Sequence, residues 1–88
     1  RPALADWMGE IGRSGDVQEV EVTNDDLIGR PLREVGPDLP SGTLITLVAR
    51  NGETQVPSAD FVLEAGDRIT LIGQKGDVRE AMEYCSPA

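Results

Sequence analysis

The chain has no histidine and a single cysteine, Cys85, among its 88 residues. Imidazole and thiolate zinc sites, Ser-His-Asp triads and Cys-His dyads are thereby excluded. One cysteine forms no internal disulfide, which fits a reducing compartment. Basic residues are scarce too, 8 against 16 acidic ones, for a formal net charge of −8. Phosphate backbones require a basic face, so no nucleic-acid partner is expected. Three aromatic residues (Trp7, Phe61, Tyr84) are too few for a base-stacking platform. The longest apolar run, Leu44 to Ala49, falls far short of the ~20 residues of a spanning helix. The first residues carry no signal-peptide core, and no direct membrane insertion is expected.

What is present is the composition of one small folded domain. Hydrophobic residues make up 39%, accompanied by 10 glycines, close to globular norms. The length argues for one domain, with only about 60–65% of the unfolded surface buried. Because it opens on Arg1, the chain is expected to be a piece of a larger protein.

Residues 1–15 read differently from the rest. Leu4, Trp7, Met8 and Ile11 share one helical face before Gly12-Arg13-Ser14-Gly15, which predicts either a connecting helix or a frayed linker. From Val17 to Val22, Val20 and Val22 alternate with Glu19 and Glu21, as in a half-buried strand. Pro31 fits the first residue of a short helix that ends near Gly36-Pro37. Thr43–Ala49 is apolar at alternate positions of both sets and predicts a central strand. Asn51-Gly52 is a hairpin signal, and Thr54–Val56 is the return strand, stopped by Pro57. A last strand is predicted over Arg68–Ile72. Gly73 to Asp77 then breaks the strand, and Asp77 caps a helix from about Val78.

In that helix, Val78, Ala81, Met82 and Cys85 form one stripe, which makes Cys85 a core residue in preference to a reactive thiol. The predicted core is Val20, Val22, Leu32, Ile45, Leu47, Ile69, Leu71, Val78 and Met82. The fold class is α+β: a small, mostly antiparallel sheet with a short helix after the first strand and a C-terminal helix.

Catalytic signals are weak. Asp25 and Asp26 are adjacent in a turn, which points them apart, and read as capping groups instead of an acid/base pair. Neither Gly9 to Gly15 nor Gly73 to Gly76 has the spacing of a dinucleotide or P-loop motif. No enzymatic activity is expected.

The glycine turns are more telling in their order. The chain runs Leu27-Ile28-Gly29-Arg30-Pro31-Leu32, an apolar strand ending in Arg50-Asn51-Gly52, then Val56-Pro57, and closes on Gly66-Asp67-Arg68-Ile69 with Leu71-Ile72-Gly73. From about Val17 to Met82 this resembles the TrkA C-terminal domain family (RCK_C). That family shares an L-x-G-K-x-L opening, a strand ending in R-x-G, an I-P step and a GD-x-L-x-V-x-G close. Arg30-Pro31 departs from the family's usual lysine and small or polar residue.

The resemblance implies that residues 16–88 form a cytoplasmic regulatory domain attached to a potassium channel or cation transporter. It also implies a homodimer, with its shared patch expected on the two-faced apolar strand or the final helix. No cofactor is implied within the chain, but a cyclic dinucleotide effector in the dimer groove is. Two readings stand: a ligand-sensing module, or an assembly module of a transporter with no small-molecule ligand. A third is a β-rich permease module for an oxyanion or metal. For the first, Arg50 offers a planar fork to a phosphate, with Asn51 as a further donor. Ile45, Val56 and Pro57 supply apolar walls. The alternative for Arg50 is a solvated hairpin residue.

Overall fold

The computed structural model describes residues 15–88, so the segment read as a connecting helix or linker lies outside the described residues apart from Gly15. Four strands form one sheet: β1 (Gly15–Glu21), β2 (Thr43–Arg50), β3 (Glu53–Gln55) and β4 (Arg68–Gln74). Their order is β1-β4-β2-β3 and every pairing is antiparallel. Helix α1 spans Leu32–Val35 and runs into a 3-10 turn at Gly36–Asp38; helix α2 spans Lys75–Cys85. This is the expected α+β arrangement.

Local chemistry explains the boundaries. Pro31 is the extended residue before α1, where its missing N–H costs nothing. Asn51 and Gly52 both have positive φ, 54° and 82°, as a tight hairpin turn between right-twisted strands requires. Asn24 accepts from the Asp26 N–H and donates its amide to the Tyr84 carbonyl, tying the loop after β1 to the end of α2.

The core lies between one face of the sheet, α2 and the long loops. Val22, Leu27, Val35, Val48, Leu63, Ile69, Leu71, Val78, Ala81 and Cys85 are fully buried. Leu32, Ile45 and Met82 pack half-buried against them. Burial lifts the Cys85 thiol to about 11, so it behaves as a small hydrophobe.

Two expectations need correction. Leu47 is not a core residue; Val48 takes its place. The β2–β4 register shifts between Ile45 and Leu47, and the extra residue, Thr46, breaks the period-2 alternation. Ile45 faces Leu71 and Val48 faces Ile69, whereas Leu47 faces Thr70. Leu47 is thereby turned to the open face, alongside Leu44, which is 60% exposed. The apolar residues at both sets of positions record this bulge, not a strand buried on two sides. The second correction concerns α2, which starts at Lys75 and not near Val78. Strand β4 continues through Gly73, paired with both Asp16 and Thr43, and passes straight into the helix. Gln74 is the cap residue and Asp77 lies inside the first turn.

Candidate functional site

A surface groove of about 230 Å³ opens between α1, the start of β2 and the loop after β3. Its apolar walls are Leu32, Leu39, Leu44, Ile45 and Pro57; Thr43 and Ser58 add hydroxyls, and Arg33 is the one charged lining residue among the described residues. The groove exists because residues 29–33 and 59–63 are laced together. The Gly29 N–H donates to the Leu63 carbonyl (2.8 Å), and the Leu63 N–H donates to that of Arg30 (3.0 Å). The N–H groups of Leu32 and Arg33 donate to the carbonyls of Phe61 (3.0 Å) and Ala59 (2.9 Å). Pro57, which cannot continue the ladder, turns the chain from β3 toward this seam. Small-molecule sites have this make-up, apolar walls with a few polar groups.

At the rim, the Arg33 guanidinium donates to the Asp60 carboxylate at 2.5 Å. Both side chains are open to solvent, 56% and 83% exposed.

A second cluster closes the end of the sheet. The bulge that buries Val48 also turns Arg50, two residues on, toward the core side. Its Nε and Nη2 donate to the two carboxylate oxygens of Asp67, each at 2.8 Å. Nη2 also donates to the Val62 carbonyl at 2.9 Å, and Nη1 lies 3.2 Å from Glu64. The guanidinium carbon stands 4.6 Å above the centre of the Phe61 ring, a favourable cation–π geometry. Asp67 is 1% exposed and accepts the Glu64 N–H at 2.8 Å as well. The Arg50 hydrogen bonds, helped by that N–H, hold the Asp67 carboxyl below the usual carboxylate range against the opposing effect of burial.

The candidate ligand residues therefore separate. Ile45 and Pro57 meet in the groove. Arg50 lies outside it with its fork engaged, Asn51 sits in the hairpin turn, and Val56 is exposed beyond β3 without lining the groove. Sequence reasoning missed Arg33, Leu39 and Leu44 as lining residues. One signal was available: Arg33 falls between Leu32 and Val35 in a helix of four residues, which carries it to the solvent side beside the groove.

The sequence profile of the TrkA-C domain matches residues 17–86. The chain belongs to the TrkA-C domain family. Its relatives include proteins named for potassium uptake and for transport. A Trk system potassium uptake protein TrkA from Azorhizobium caulinodans is 39% identical over 77 residues, 88% of this chain and 15% of that protein. An uncharacterized transporter of Corynebacterium diphtheriae is 39% identical over 61 residues, 69% of this chain and 11% of that protein. This TrkA-C domain thus spans a small fraction of the length of these curated relatives. Among solved structures, the RCK_C domain dimer of Streptococcus agalactiae BusR in complex with c-di-AMP superposes with a TM-score of 0.68. It is 27% identical, covering 82% of this chain and 97% of that one. Among the described residues, no helix of the TrkA-C domain is long and apolar enough to cross a membrane.

Proposed function

We propose that this TrkA-C domain is the cytoplasmic effector-sensing part of a potassium channel or cation transporter, and that it performs no catalysis. Two copies associate about a twofold axis, and a cyclic dinucleotide of the c-di-AMP type lies between their grooves. The observation that carries this reading is the groove itself: apolar walls around about 230 Å³, with Arg33 at the rim. Ile45 and Pro57 pack on the bases together with Leu32 and Leu44, and Arg33 meets the phosphate. Arg50 has its donors engaged by Asp67, Val62 and Glu64, so its contribution is to hold the loop that builds the groove.

A symmetric dinucleotide presents the same chemistry to both protomers, and its binding draws the two grooves together. That change of spacing is the signal a transporter can read. The alternative, an assembly module without a ligand, draws on the open sheet face. There Val17 and Leu44 flank Ile72 in adjacent strands, and both are exposed. Calorimetric titration with c-di-AMP separates the two readings. Saturable heat at one dinucleotide per two chains supports sensing; a folded dimer that gives none supports assembly.

A further inference from the structure

The cation at the groove already has an anion. Asp60 lies between Ala59 and Phe61, whose carbonyls accept the N–H groups of Arg33 and Leu32. The backbone seam therefore delivers the Asp60 carboxylate to the Arg33 guanidinium. Nothing else fastens that carboxylate: among the described residues its hydrogen bond goes to Arg33 alone, and the side chain is 83% exposed. We infer that Asp60 is a built-in competitor, an intramolecular carboxylate occupying the position on Arg33 that the effector's phosphate must take.

This inference rests on the groove being the effector site. A phosphodiester reaching Arg33 displaces the Asp60 carboxylate, which then swings into solvent with no bond to the ligand. Two costs follow for an anionic ligand, the lost ion pair and the repulsion from a nearby like charge. An exposed pair of this kind is weak enough to open, costing up to about fivefold in affinity. The neighbouring negative charge adds a smaller factor that salt screens. A neutral ligand filling only the apolar walls meets neither cost. Asp60 thus raises the concentration at which an anionic effector acts while leaving the fit of the bases untouched.

The test is calorimetric titration of the 88-residue chain with c-di-AMP and, separately, with adenosine. Three variants accompany the unaltered chain: Asp60→Asn, Arg33→Gln and the double variant, each first shown to be folded by circular dichroism. The expected result is a three- to tenfold gain in c-di-AMP affinity in Asp60→Asn, falling below about twofold when Arg33 is also Gln. Adenosine affinity should not change. Asp60→Ser provides the same deletion of charge with a smaller side chain, and should give the same gain. If the unaltered chain binds c-di-AMP and Asp60→Asn binds it no better, the competitor role is wrong and the sensing function stands. A gain of the same size in the Arg33→Gln background also overturns it, since competition for Arg33 cannot then be the cause. If neither the unaltered chain nor either Asp60 variant binds, the sensing function falls and the competitor role with it.

Discussion

Of the arginine–aspartate pairs among the described residues, Arg50–Asp67 and Arg33–Asp60 share one chemistry and differ most in burial. Arg50 and Asp67 meet through two parallel bonds, with Asp67 sealed from water and Phe61 beneath the guanidinium. Arg33 and Asp60 meet at the rim of a groove, both largely in solvent. Burial decides what each pair can do. Without Arg50 the sealed Asp67 carboxylate would be stranded away from water, so the Arg50–Asp67 pair is fixed and belongs to the fold. The exposed pair loses little when it opens, because water replaces each partner. The first pair holds residues 62–67 against the end of β2; the second leaves a cation that a ligand can claim.

The largest effect is expected at the buried pair. Asp67→Ala removes both carboxylate bonds of Arg50 and the acceptor of the Glu64 N–H, and should destabilise the domain by about 3 kcal/mol. Urea unfolding measures this, and a loss below about 1 kcal/mol would place Asp67 on the surface in effect. Burial at the bulge comes next. Val48→Ala should cost about 2 kcal/mol, and Leu47→Ala less than about 1 kcal/mol. The reverse order in the same unfolding assay would show that β2 pairs without the extra residue.

The acid response follows from Asp67. Its carboxyl is held low in the fold by Arg50 and the Glu64 N–H, so the unfolded chain binds this proton more readily than the folded one. The stability it supplies is complete above the ordinary carboxylate range, near pH 4, and is lost as pH falls through the lowered value. Unfolding midpoints should drop below about pH 4, and the Asp67→Asn variant should show a shallower drop. An equal slope in both proteins would assign the acid response to other carboxylates. Cys85 gives the opposite sign. Its thiol is raised from 9.0 to about 11, so that contribution is present below pH 9 and declines as pH climbs toward the higher value. Below pH 9 a thiol reagent should label Cys85 only on unfolding, and rapid labelling of the native domain would contradict its burial. The smallest effect is expected at the rim, where Arg33→Gln and Asp60→Asn should each shift stability by no more than about 0.5 kcal/mol.

The contrast between these pairs was only partly legible in the amino-acid order. Asn51-Gly52 announced the hairpin because few residue pairs accept two consecutive positive φ values. The stripe Val78, Ala81, Met82, Cys85 announced the buried face of α2 because helical periodicity is local. The bulge at Thr46 had no such signal. A strand rich in apolar residues reads equally well in either phase, so the sequence places Leu47 in the core where the fold places Val48, and leaves the direction of Arg50 open. Asp67, in a Glu-Ala-Gly-Asp turn, looks solvated until the fold brings Arg50 across from it, 17 positions away in sequence. The groove was half visible. Ile45 and Pro57 were anticipated as apolar walls, but Arg33 and Asp60 become neighbours only through the seam between residues 29–33 and 59–63, a long-range pairing with no local signature.

The central claim is that the open pair, and not the buried one, meets the effector. Titration of c-di-AMP into the Arg33→Gln chain, folded and dimeric by sedimentation, tests it most directly. An affinity loss of at least tenfold, equivalent to about 1.4 kcal/mol, with unfolding stability unchanged, is the predicted result. Unchanged affinity in that variant, with c-di-AMP still binding the unaltered chain, would contradict it.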